Sequence, residues 1–314
     1  MYYKEYPWVY DNVSKDWLYL RGSSDGKIYA YRNSSKAWEE FSVPASSELF
    51  DVSNPSSNLA VDLNSSVNLE MIWCPPGTFT MGSPTTEAGR DTADAGRAAD
   101  REDEHNVTLT KGFYLGKYEV TQAQYEAVMT GNPNSLSATP SYWPNNPNRP
   151  VEQVSWDDAQ VFLTRLNAQQ SASIPVGWTF ALPTESQWEY ACRAGTTTAY
   201  SWGNSITGTN ANYGGFEGAF TQTKNVGDYS ANPWGFFDMH GNLMEWTADR
   251  FHADYPTGNP VVDPTGAASG MFRVARGGSW GNGWADQRSA MRHIYSTGNR
   301  NFDMGLRISL KKTN

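Results

Sequence analysis

A chain of 314 residues is long for one simple core and fits one large irregular domain with a small appendage. Its 24 Lys and Arg against 33 Asp and Glu give a formal charge of −9, which argues against a phosphate backbone as partner and so disfavours nucleic acid. Its two cysteines, Cys74 and Cys192, exclude a disulfide scaffold and any site of three or more thiolates.

The apolar runs are a few residues each, far short of the roughly 20 needed to span a bilayer. Met1-Tyr2-Tyr3-Lys4-Glu5 does not open a secretory signal, so the expectation is a soluble chain without a membrane span. With 28 Gly, 17 Pro and 14% aromatic residues against 18% charged ones, it reads as loop-rich and aromatic-rich rather than helical.

Residues 1–42 alternate aromatic and polar positions at Trp8-Val9-Tyr10, Trp17-Leu18-Tyr19-Leu20 and Ile28-Tyr29-Ala30-Tyr31, with an Asp25-Gly26 turn before the third run. That pattern predicts a three-stranded antiparallel β meander ending near Trp38 and Phe41. Residues 43–68, rich in Ser, Asn and Pro, read as a linker or a strap, and the main domain is expected over 69–314. Between Pro84 and His105 acidic residues dominate and large apolar ones are almost absent, which predicts a mobile surface loop. Three capping boxes then announce helices: Thr121-x-x-Gln124, Ser155-x-x-Asp158 and Thr184-x-x-Gln187, the last ending at Gly195. After Gly195 only short strand-like pieces remain.

Several phrases, in order, resemble the formylglycine-generating enzyme family, also called sulfatase-modifying factors. They include Pro76-Gly77-Thr78-Phe79-Thr80-Met81-Gly82, Leu182-Pro183-Thr184-Glu185-Ser186-Gln187-Trp188-Glu189-Tyr190 and Gly241-Asn242-Leu243-Met244-Glu245-Trp246. Arg276-Gly277-Gly278-Ser279-Trp280, Arg288-Ser289-Ala290-Met291-Arg292 and Gly305-Leu306-Arg307 complete the set. The resemblance runs from about Leu69 to Leu310. It implies an α+β chain with that family's C-type lectin fold, much irregular structure, and the small meander in front.

In family members that oxidise a sulfatase cysteine, two cysteines after the Gly-Gly-Ser phrase bind copper(I), a soft ion that needs soft thiolates. Here those places fall on Asn282 and Gln287, and the segment 279–287 contains no sulfur, so no copper is expected. A related branch uses histidine-bound iron, but His105, His240, His252 and His293 lack any helical i, i+4 pairing. The resemblance further implies calcium, which favours hard oxygens. Asp238 and Glu245 would supply side chains, Gly241 and Leu243 carbonyls, and a second site would use Asn212 and Tyr213. The competing reading makes Glu245 a cap or salt-bridge partner.

From Trp280 onward, fixed family phrases alternate with a scatter of aromatic and small polar residues: Asn282, Trp284, Asp286, Gln287, Met291, His293, Tyr295, Asn299, Asn301, Phe302 and Asp303. Rigid rings among adaptable polar groups suit a recognition face. The pattern resembles retroelement-diversified variable proteins of this fold, and it equally fits exposed loops of an ordinary family member. The resemblance therefore implies either a non-catalytic, receptor-like binder of a protein or glycan, displayed outside the cell, or a formylglycine-generating or related sulfur-oxidising oxidoreductase with an unrecognised metal site.

Overall fold

The computed structural model describes residues 8–11, 16–22, 28–32, 37–41, 58–90, 102–214, 221–252 and 260–313. The chain divides into two compact units, Met1–Asp51 and Val52–Asn314. The first is an antiparallel sheet of four strands: β1 (Trp8–Asp11), β2 (Asp16–Gly22), β3 (Ile28–Arg32) and β4 (Ala37–Phe41). The meander thus has one strand more than its sequence predicted. Residues 37–41, taken as its end, pair with β3 from Arg32↔Ala37 to Ile28↔Phe41.

The second unit is built on a five-stranded sheet in the order β10 (Trp178–Ala181), β16 (Ser309–Lys312), β9 (Phe113–Gly116), β6 (Asn68–Cys74), β5 (Leu59–Asp62). Here the domain begins earlier than its motifs: β5, inside the expected linker, pairs with β6 as the sheet's edge. The capping boxes at Thr121, Ser155 and Thr184 form as read, each side chain accepting from the third residue of α1 (Gln122–Met129), α2 (Trp156–Gln169) and α3 (Glu185–Arg193). Tyr125 and Phe162 stack at 5.3 Å to join α1 to α2 over a core that includes Met71, Val128, Leu166, Leu306 and Leu310.

A four-stranded sheet, β14 (His293–Ser296), β13 (Phe272–Arg276), β11 (Met244–Arg250) and β15 (Met304–Leu306), carries the C-terminal phrases. β15 runs parallel to β11 and the other pairs are antiparallel. A third sheet in the order β12 (Val261–Val262), β8 (His105–Leu109), β7 (Gly77–Met81) meets α3 through a second core around Trp188, Cys192 and Phe236. No helix among the described residues is long and apolar enough to cross a membrane.

Candidate functional site: a C-terminal face on a buried arginine frame

The family phrases meet as ion pairs. Arg276, Arg288 and Arg307 are fully buried, and a buried charge is tolerated only when paired and hydrogen-bonded. α3 presents Glu185 and Glu189 one turn apart on the same helix. Glu189 pairs with Arg276 and with Arg193 (2.8 Å), and Glu185 takes both arms of Arg292 at 2.6 and 2.8 Å. Arg276 also donates to the carbonyls of Ser289, Ala290 and Met291, which fixes the path of the chain between β13 and β14. Arg288 holds Glu102 at 2.7 and 3.0 Å and Glu87 at 2.8 Å. The ends of the expected mobile loop at 84–105 are therefore drawn into the body of the protein, and residues 91–101 between them lie outside the described residues. Arg307 grips Glu245 and donates to the carbonyls of Gly116 (3.0 Å) and Phe237 (2.8 Å).

At the family's two cysteine places the amides are built into the turn. Gln287 is fully buried; its Nε2 donates to the carbonyls of Ser279 and Gly283, both at 3.1 Å. Gly278, at φ +66°, leaves room for that amide, since a Cβ there would collide with Oε1. Ser279 Oγ lies 2.6 Å from Asn282 Oδ1 and 3.2 Å from Asp303 Oδ2. Burial raises the Asp303 carboxyl above its usual range.

Cys192 is buried, with its sulfur 3.6 Å from His240 Nε2. Burial pushes its thiol up to about 12 and pulls His240 down to about 4. His240 Nε2 accepts from the Ser201 backbone N–H, so Nδ1 carries the proton and donates to the Gln287 carbonyl at 2.7 Å. A neutral thiol beside a neutral imidazole is a packing pair, since the thiolate is the reactive form. Cys74 is likewise buried and free, and burial raises its thiol too.

The scattered residues separate into interior and surface. Gln287 and Met291 are buried, so their side chains are not part of an open face: Gln287 braces the turn, and Met291 Sδ lies 3.8 Å from the Arg288 guanidinium. Tyr295 is half-buried on β14, packs against the core at 6.3 Å from Trp246, and sets its hydroxyl 3.6 Å from Met244 Sδ. His293, on the same strand, is half-buried opposite Ala275. Asn299 and Asn301 are half-buried in the loop before β15, where the Asn301 carbonyl accepts from Gln153 N–H.

Two aromatic platforms remain open. Trp284 is 47% exposed, with Tyr200 donating its hydroxyl to the Trp284 carbonyl at 2.7 Å and Trp202 stacked on Tyr200 at 5.5 Å. Asp286 accepts from Gly283 N–H in the same turn. Phe302, 41% exposed, is grouped with Tyr142, Trp143 and the buried Trp280, at 6.3, 6.1 and 5.6 Å.

Tyr142 and Trp143 did not emerge from the sequence reading, although an aromatic pair between Pro140 and Pro144 with no helical or strand periodicity was a usable signal. Their backbone N–H groups donate to the buried Glu152 carboxylate at 3.0 and 3.3 Å, which fixes this loop. Tyr142 is 63% exposed, and beside the loop a groove of about 400 Å³ is lined by Gln122, Glu126, Pro140, Ser141, Asn146 and Val151.

The residues implied for calcium divide in the same way. Glu245 is occupied on both oxygens, by Arg307 at 2.7 to 3.1 Å and by Trp188 Nε1 at 2.7 Å, the salt-bridge reading of that side chain. Asp238, at φ +57°, accepts from Gly227 N–H at 2.7 Å. Burial, reinforced by Glu245, pushes its carboxyl up to about 6. Nearby Glu119 is driven well above the carboxylate range by burial and by the charges of Asp238 and Glu245.

Glu119, Asp238 and Glu245 thus share the field of the single Arg307 guanidinium, with burial pushing the first two toward their protonated forms. At the second place, Asn212 Oδ1 and Thr223 Oγ1 are buried without a hydrogen-bond partner among the described residues. Residues 215–220, which follow this place in the chain, lie outside the described residues. Among the described residues no three His, Cys, Asp or Glu side chains form a group that could hold a metal ion.

The profile of the FGE-sulfatase family, the Sulfatase-modifying factor enzyme 1-like domain, matches residues 59–312. The chain is 27% identical over 268 residues to the formylglycine-generating enzyme of Thermomonospora curvata, covering 67% of this chain and 82% of that one. It is 26% identical over 267 residues to the formylglycine-generating enzyme of Mus musculus, covering 67% of this chain and 66% of that protein's length. Among solved structures, Treponema denticola variable protein 1 aligns with a TM-score of 0.64 and 26% identity over 82% of this chain and 100% of its own. PvdO from Pseudomonas aeruginosa reaches 0.70 at 24% identity over 82% of this chain and 100% of its own, a likeness of fold. The arginine frame is made from the phrases that this profile spans, and the chain belongs to the sulfatase-modifying factor enzyme 1-like domain family, with its C-type lectin fold.

Proposed function

We propose that this chain is a non-catalytic, receptor-like protein that binds a protein or glycan outside the cell through its C-terminal face, with Trp284 and Phe302 as anchors. The observation that carries this reading is the fate of the two metal-thiolate places. Asn282 and Gln287 are neutral amides engaged in the turn, and neutral amides do not replace thiolates at copper(I). Exposed rings with polar neighbours supply contact area in their stead.

The frame suits a face whose side chains vary. Arg276, Arg288, Arg292 and Arg307 tie the backbone on both sides of each loop, so residues such as Asn282, Trp284, Asp286, Asn301 and Phe302 can change without loss of those ties. The likeness to a variable protein supports this use. The alternative is sulfur oxidation, as in the formylglycine-generating relatives. Incubation of a sulfatase-type cysteine peptide with copper-loaded protein and oxygen distinguishes the two. The expected mass spectrum shows the peptide unchanged, and the aldehyde product would overturn the reading.

Calcium is part of the same proposal, as a structural ion held by Asp238 and neighbouring carbonyls of Gly241 and Leu243, with Asn212 and Tyr213 at a second place. An ion bound only to the native state raises its stability by RT ln(1 + [L]/Kd), about 2.7 kcal/mol at a hundredfold excess over Kd. Added calcium is expected to raise Tm and a chelator to lower it. A Tm indifferent to both would remove calcium from the account.

A further inference from the structure

The Trp284 ring belongs to a larger aromatic group. Tyr200, whose hydroxyl holds the Trp284 carbonyl, lies parallel to Trp202 at an interplanar angle of 6°, and Trp202 is itself 39% exposed. Both tryptophans are fixed from behind. Gly89, at φ +79°, lies so close to Trp284 that a Cβ there would meet the ring at 2.7 Å, and the Trp202 indole N–H donates to the Ser205 carbonyl at 2.9 Å. His240, 4.8 Å from Trp202 and edge-on to it, is neutral and bonded at both ring nitrogens.

The charges bordering these rings are mostly negative. The Tyr200 hydroxyl lies in the field of Glu87, Asp286 and Arg288. Arg288 is engaged by Glu87 and Glu102, and Arg90, next to Gly89, by Asp103. Asp286 accepts from the Gly283 N–H at 3.2 Å through one oxygen, its one hydrogen bond among the described residues. Other tryptophans of this chain carry their own cations: Arg273 stands 3.8 Å from the centre of the Trp156 ring, Arg276 5.4 Å from Trp188 and Lys312 6.0 Å from Trp178. Among the described residues no Lys or Arg stands over Trp202 or Trp284.

We propose that this platform binds arginine side chains of a basic protein segment, Trp202 and Trp284 offering their ring faces and Asp286 the counter-charge. The inference rests on the reading of the C-terminal face as a recognition surface and narrows its partner to a protein. A cation over a ring face is attracted by the ring's quadrupole, most strongly for Trp. Arginine fits best, because its planar guanidinium stacks on a ring while its edge N–H groups stay available to a carboxylate. The charge of −9 draws such a partner to the chain, and the rings and Asp286 decide where it docks.

Calorimetric titration of the whole chain with a Gly-Arg repeat peptide, and separately with Gly-Glu and Gly-Ser repeats and with maltoheptaose, tests the assignment. Saturable binding of the Gly-Arg peptide alone is expected, weakening with salt and reduced about fivefold to tenfold in Trp284→Ala and in Trp202→Ala. Asp286→Asn, which keeps an acceptor for the Gly283 N–H and removes the charge, is expected to weaken it severalfold. Glu126→Gln, at an exposed site on α1, should leave it unchanged and so measures attraction to the net charge alone. A Gly-Arg peptide that does not bind, or that loses as much affinity in Glu126→Gln as in Asp286→Asn, would overturn the inference. Binding of maltoheptaose or of the Gly-Ser peptide that depends on Trp284 would overturn it too, while leaving the recognition face in place. The broader reading stands or falls separately, on the oxidation assay of the sulfatase-type peptide.

Discussion

Arg307→Met is expected to lower stability by about 3 to 5 kcal/mol, the cost of leaving buried charge without its partner. The guanidinium is fully buried, donates to Glu245 and to two backbone carbonyls, and faces Glu119 and Asp238 as well. Its removal leaves three carboxylates facing one another. At roughly 2 to 4 °C per kcal/mol for a domain of this size, the fall in Tm should be easy to measure.

The loss should also depend on pH. Asp238 already titrates at about 6 when folded, against an ordinary value near 3.8. Between those values the folded state holds more protons than the unfolded one, so this group's contribution to stability declines as pH rises from about 4 to 6. Without Arg307 the carboxyl values move further up, and the window widens toward neutrality. The penalty measured at pH 7 should therefore shrink on acidification toward pH 5. A Tm difference under about 2 °C at neutral pH would show that Arg307 is not holding these charges.

Trp246→Ala should cost about 3 to 5 kcal/mol. The ring, carried on β11 between β13 and β15, is completely buried in the core, and its N–H donates to the Val154 carbonyl at 2.9 Å. Trp284→Ala and Phe302→Ala, on half-open rings, should cost under about 1 kcal/mol each. Tyr295→Ala belongs with the core set, because that ring packs against Trp246. Urea unfolding midpoints of the four variants measure this division. A loss of 3 kcal/mol for Trp284→Ala would make its ring core and remove one anchor from the proposed face.

Much of the scaffold was legible because it is local. Thr121, Ser155 and Thr184 each satisfy a backbone donor three residues away, so the helix starts are written in four consecutive residues. The strands β4 and β5 were less legible, since short segments without strong alternation become strands only when a neighbour offers its hydrogen-bonding edge. Tyr142 and Trp143 read as loop residues; the Glu152 carboxylate ten residues away positions them beside Phe302, which is 160 positions further along the chain.

By itself the sequence determined the family, the fold class, the capped helices and the absence of sulfur at Asn282 and Gln287, each a matter of residue identity at short spacing. Tertiary structure alone decided which of the scattered residues are interior, as with Gln287, Met291 and Tyr295, and which remain open, as with Trp284 and Phe302. It also decided the partners of the buried arginines. Arg288 meets Glu102 across 186 positions and Arg276 meets Glu189 across 87. Nothing local to either residue specifies such a pair. It forms because a charge removed from water requires a counter-charge, and only the folded chain determines which one is within reach.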